Sequence, residues 1–154
     1  MHKIGLFLGM AVLLASFGAN AETTPSPQSA IRLRQDGFET ILRLSRGLFD
    51  ELRAWSPDKR MIQDDASRLA EVTQQIPSWF PAGSGQESGL RTNARPEIWR
   101  NPDDFRRKAE ALAAAAAKID QAAKAGNFDA IKANRSALVE SCQDCHASYE
   151  YRAW

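Results

Sequence analysis

Hydrophobic positions along this chain recur mostly at steps of three and four, the spacing that lines up side chains on one face of an α-helix. The first series is Ile31, Phe38, Ile41, Ser45, Leu48, Leu52 and Trp55. A second, Ile62, Leu69, Val72 and Ile76, follows the turn "SPDK", where Ser56 is placed to cap a helix and Pro57 to take its first position. The third runs Phe105, Ala109, Leu112, Ala116, Ile119 and Ala123, opened by "NPDD" and ended by Gly126. The fourth begins at Asn127 and runs Phe128, Ile131, Leu138, Cys142, Cys145 and Tyr149. No stretch alternates as a half-buried strand does. Four amphipathic helices, with short links between the first and second and between the third and fourth, predict an all-α fold. Its architecture is an antiparallel up-down-up-down four-helix bundle with a long loop between helices two and three.

That loop, "PSWFPAGSGQESGLRTNARPEIWRNP", breaks the pattern. Long structureless connections are uncommon in compact domains, and disordered linkers are poor in aromatics. Trp79, Phe80, Ile98 and Trp99 therefore predict a loop folded against one end of the bundle. The alanine-rich "AALAAAAAK" reads as a helix face that lets a neighbour come close, because alanine is the best helix former.

The beginning of the chain changes the picture of location. "MHKIGLFLGMAVLLASFGANA" has a basic start, an apolar run from Ile4 to Phe17 and a small-x-small end at Ala19-Asn20-Ala21. This is the pattern of a secretory signal peptide, and the apolar run is short for a bilayer span. Residues 1–21 are expected to be a signal peptide, with one domain over residues 22–154 and no membrane association after cleavage. The formal net charge of +1 includes Lys3, so the exported chain carries no net charge. Acids and bases are interspersed, which argues against a nucleic-acid partner.

The candidate chemistry is concentrated in "SCQDCHASY". Cys142 and Cys145 are the two cysteines of the chain, and His146 is its one histidine apart from His2. C-x-x-C-H is the attachment signature of c-type haem. Residues three and four apart share a helix face, so two thiols can add to the vinyl groups on one haem edge while the imidazole reaches the iron. A thioredoxin-type pair belongs at the start of a helix in a βαβ setting. Zinc wants four ligands, and a disulfide across three helical residues constrains little. One covalent haem c per chain is the reading that remains, held by Cys142 and Cys145 with His146 on the metal.

The second axial position can be approached by elimination. Met1, Met10 and His2 leave with the signal peptide, and Met61 falls beside a turn at the start of the second helix. Five-coordinate iron with His146 as sole protein ligand follows, an arrangement suited to small gases. The competing reading is a low-spin electron carrier with Met61 as sixth ligand. A haem enzyme is disfavoured, because no second histidine is available for proton handling. Arg34 falls on the core line of helix one, where a charge is costly unless paired. It either reaches out to solvent or forks onto a haem propionate. Phe38, one turn on, is then placed over the haem opposite His146. Leu42 and Phe49 form a second apolar line, either a dimer surface or further core.

Together "RLRQ" in helix one, "SWFPAGSG…TNARPEIW" in the loop and "CQDCHASY" resemble the cytochrome c′ family, over nearly the whole span from Ile31 to Tyr149. The resemblance implies a periplasmic, usually homodimeric haem protein with high-spin five-coordinate iron. It also implies binding of nitric oxide and carbon monoxide; with no second histidine for proton handling the chain is expected not to be an enzyme, and its redox partner is unknown. By position Arg34 matches the family's propionate-binding arginine and Phe38 its bulky distal residue. Gln35, the last residue of "RLRQ", belongs with them among the haem-contacting residues. One departure stands out. The family commonly has a basic residue four positions after the ligand histidine, whereas this chain has Glu150, with Arg152 two further on.

Overall fold

A computed structural model describes residues 25–151 of the chain. The expected signal peptide at 1–21 and Arg152 lie outside the described residues. Six α-helices stand among them: α1 Pro27–Glu51, α2 Lys59–Thr73, α3 Glu97–Arg100, α4 Pro102–Lys124, α5 Phe128–Ala133 and α6 Arg135–Tyr149. The described residues hold no strand, so the all-α expectation is met.

Each long helix starts and stops for local reasons. Ser26 caps α1, accepting from Ser29 N at 3.2 Å, and Pro27 takes the first position, where its missing N–H costs nothing. The cap of α2 corrects the sequence expectation. Asp58, not Ser56, accepts from Arg60 N at 2.8 Å and Met61 N at 3.2 Å, and Lys59, not Pro57, begins the helix. A carboxylate at this position also meets the positive end of the helix dipole, which a hydroxyl does not match. Trp55 is a second correction. Helix α1 ends at Glu51 and Leu52 is the last residue of its apolar series to be buried, leaving Trp55 fully exposed. Gly126, at φ 66°, closes α4: its N–H bonds Ala123 O at 2.9 Å and the next N–H, of Asn127, bonds Ala122 O at 2.9 Å. That left-handed closure is where glycine is favoured. Asn127 then caps α5, accepting from Ala130 N at 2.9 Å.

The fourth predicted helix is two helices. Asn134 separates α5 from α6, its side-chain amide donating to Ala130 O at 2.8 Å. Asparagine competes in this way for backbone acceptors, which is why it is a poor interior helix residue.

Packing runs in a series: α1 on α2, α2 on α4, and α4 on α6, with no comparable packing of α1 against α6. The α2–α4 seam is the most extensive, and both helices bring small buried residues to the core, Ala66 and Ala70 on one, Ala109, Ala115, Ala116 and Ala123 on the other. Small side chains let helix axes approach closely. Leu44, Leu48, Ile62, Leu69, Ile119 and Ile131 are among the large aliphatics buried with them, each contributing about 1.5–3 kcal/mol.

The loop between α2 and α3 is folded, as its aromatics predict. Trp79 is buried and meets Phe38 edge-on at 5.4 Å between centroids. Trp99 donates from its indole to Phe80 O at 3.1 Å and Pro81 O at 3.2 Å. Further along, Arg95 N bonds Tyr149 O at 3.0 Å and Tyr151 N bonds Asn93 O at 2.8 Å, so the loop pairs with the residues that leave α6.

Candidate haem site

Because α1 and α6 do not close on each other, a cleft lies between them. Its first part, about 650 Å³, is lined by residues including Arg34, Gln35, Phe38, Phe80, Thr92 and Glu150. The second, about 430 Å³, runs along Ile41, Leu42, Phe49, Leu112, Leu138 and Cys142. Phe38, Cys145 and His146 line both parts. Phe38 and His146 face each other where the two parts meet, with centroids 6.2 Å apart and planes at 85°. Leu42 and Phe49, the second apolar line of helix one, face this cleft.

Cys142 and Cys145 are half-buried and unbridged, one helical turn apart on α6. Burial raises both thiols, Cys145 to about 11 although the Lys108 ammonium works the other way. His146 follows on the same helix, with a half-exposed ring. Its Nδ1 lies 3.0 Å from Glu150 Oε2, which leaves Nε2 as the nitrogen free to meet a metal.

Arg34 does not reach out to solvent. It is 4% exposed and donates from Nη1 to Ser84 Oγ at 3.0 Å, and from Nη2 to Ser84 O at 2.8 Å and Thr92 Oγ1 at 2.6 Å. Its carbon Cζ stands 5.0 Å from the centre of the Phe80 ring. Burial pulls its pKa below the ordinary arginine value, with the Glu87 carboxylate pulling back. All three hydrogen-bond partners are uncharged, and a buried cation of this kind is stabilised by an anion placed beside it. Ser84 and Thr92 escaped the sequence reading. Their only signal there was indirect, in that a core arginine needs acceptors and the loop is where hydroxyls are plentiful.

Gln35 lines the first part of the cleft beside Arg34, with its residue largely exposed. Met61 lines neither part; it is the third residue of α2 and 47% exposed. The donor set fits a flat, largely apolar, anionic macrocycle. It consists of two thiols on one helix face with an imidazole beside them, apolar walls, and a cation with only neutral partners at one end.

The comparisons agree with that geometry. The family model for Cytochrome C' matches residues 29–150. Cytochrome c' of Rubrivivax gelatinosus is 27% identical over 124 residues, 80% of this chain and 95% of that protein. Cytochrome c' of Alcaligenes xylosoxydans xylosoxydans is 28% identical over 124 residues, 80% of this chain and 94% of its own. The crystal structure of the Rubrivivax gelatinosus protein superposes with a TM-score of 0.73 at 26% identity, covering 81% of this chain and 97% of that one. A nitric oxide complex of a variant of cytochrome c prime from Alcaligenes xylosoxidans superposes with a TM-score of 0.73 at 24% identity, covering 82% of this chain and 97% of that one.

Proposed function

This chain belongs to the cytochrome c′ family and carries haem c covalently, and from that premise we propose that it binds small diatomic gases, nitric oxide and carbon monoxide, at a five-coordinate haem between α1 and α6. Cys142 and Cys145 hold the porphyrin edge through thioethers, and His146 Nε2 is the sole protein ligand. The haem supplies an iron atom that takes one further small ligand. Arg34, already fixed by Ser84 and Thr92, presents its remaining N–H groups to a propionate, and Gln35 lies beside it at the same end. Phe38, whose ring faces His146 across the cleft, would lie against a bound haem on the side away from His146 and limit what reaches it there. Gas binding is reversible, with no turnover, in a periplasmic protein that pairs as a homodimer and exchanges electrons with a separate partner.

The observation that carries this reading is the Phe38–His146 pair, facing each other across a cleft in which Met61 takes no part. Phe38 holds its place partly through its edge-on contact with Trp79, a geometry worth about 0.5–1.5 kcal/mol. A gas that must push the ring aside loses some of that contact. Phe38→Ala should therefore speed carbon monoxide binding by up to about tenfold. Flash photolysis of the reduced protein measures the rate, and an unchanged rate would take Phe38 off the gas path. A sulfur-to-iron absorption band in the oxidised protein would replace this reading with the low-spin carrier.

A further inference from the structure

Glu150 is the one carboxylate lining the first part of the cleft, and nothing in the proposed gas chemistry uses its charge. It is the residue at which α6 ends, with φ −121° and ψ 134°. Its N–H still bonds His146 O at 3.1 Å, while the backbone on either side of it is tied to the loop by Arg95 N to Tyr149 O at 3.0 Å and Tyr151 N to Asn93 O at 2.8 Å. Glu150 is thereby fixed at both flanks and is not a frayed terminal residue. From that position Oε2 reaches to 3.0 Å from His146 Nδ1. The carboxylate lines the same part of the cleft as the imidazole.

We propose that Glu150 is a positioning and tuning residue for the metal ligand: in the haem-bearing protein His146 donates Nδ1–H to the Glu150 carboxylate, which fixes the ring and makes Nε2 a stronger electron donor. The inference rests on the haem reading above. A metal-bound histidine ordinarily gives its second N–H to a carboxylate, carbonyl or water, and the choice matters: a carboxylate fixes the tautomer and raises the basicity of the ligating nitrogen. Hydrogen bonding behind the axial ligand is one of the few means by which a protein sets the properties of haem iron. A more electron-rich Nε2 favours the oxidised over the reduced iron. A carboxylate holding Nδ1 would also keep the His146 ring oriented for a metal at Nε2.

The test compares the purified haem protein with Glu150→Gln and Glu150→Ala. The iron–histidine stretching frequency of the reduced form, read by resonance Raman, should fall from wild type to Gln and again to Ala. The midpoint potential should rise in the same order. The alanine variant should favour the reduced protein measurably at a fixed potential, each tenfold change in the ratio of oxidised to reduced protein being about 59 mV for one electron. Unchanged frequency and potential in a coloured alanine variant overturn the role of Glu150 while leaving the haem assignment intact. A colourless wild-type protein overturns both. If the alanine variant does not fold, the glutamine variant alone decides, because it keeps the shape of the side chain and removes only the charge.

Discussion

Tyr149 stands where the aromatic chain of the cleft meets α4. Its ring meets Phe105 edge-on at 5.3 Å, and its hydroxyl donates to Asp104 Oδ2 at 2.5 Å. Burial, and then the Asp104 acceptor, push the phenol up to about 12. The same hydrogen bond holds Asp104 below the usual carboxylate range. The signs follow by linkage. An acid whose pKa is raised on folding lends stability that is full below its unfolded value, about 10 for tyrosine, and fades as pH climbs towards about 12. Asp104, lowered on folding, lends stability above about pH 4 that fades as pH falls through its folded value. Tyr149→Phe should therefore flatten the alkaline limb of the stability curve. Urea midpoints measured on either side of pH 10 check it, and a limb as steep as wild type's would assign the alkaline loss to other groups.

Several single residues were readable in advance, and physical range explains which. Glu150 is four positions from His146, so their meeting follows from helix spacing alone. Cys142, Cys145 and His146 share a face for the same reason. Ser84 and Thr92 lie 50 and 58 residues from the Arg34 they bind. Contacts at such range depend on how a loop folds, which no periodicity encodes.

At the scale of an element, α1 contains two glycines, and their surroundings differ. Glycine inside a helix costs about 1 kcal/mol relative to alanine, so either position invites substitution. A Cβ on Gly37 would stand 2.4 Å from Cη2 and 2.7 Å from Cζ2 and Cζ3 of Trp79, a rigid ring that is 2% exposed and cannot move aside. Overpacking of this kind costs about 1–3 kcal/mol, which exceeds or cancels the propensity gain. A Cβ on Gly47 would meet Asp65 Oδ2 at 2.8 Å, the far end of a half-exposed side chain free to turn away. Gly37→Ala should lower the urea midpoint and Gly47→Ala should hold or raise it. If Gly37→Ala proves the more stable of the two, α1 does not rest on Trp79 as described. The α1 core line was legible because tertiary packing follows its period as far as Leu52. Beyond Glu51 the chain is no longer helical, so the extrapolation to Trp55 failed, as did a cap assigned to Ser56 when Asp58 stood closer to the helix. The break at Asn134 was missed because the apolar spacing continues across it while a side-chain hydrogen bond interrupts the backbone.

For the whole molecule, the series α1–α2–α4–α6 leaves α6 packed mainly on α4, with only its C-terminal end tied to the loop. Helix α6 buries just Leu138 and Tyr149 fully, and the rest of its inward face, Cys142 and Cys145, borders the cleft. Helix α4 buries eight residues and contacts both α2 and α6. On the proposed function, a haem held by Cys142, Cys145 and His146 of α6 in the cleft that Phe38, Ile41 and Leu42 of α1 line would supply a connection between the two ends of the series. Regions with few buried apolar contacts open first, so removing that connection should loosen α6 and spare the seam between α2 and α4. A Cys142→Ser/Cys145→Ser chain made without haem should show fast amide exchange throughout α6, with α2 and α4 still protected. The haem-bearing protein should protect all three helices. Equal protection of α6 in both would mean that the α4–α6 contact suffices by itself. In that case the cleft would be a preformed seat for the cofactor, with no part in holding the bundle together.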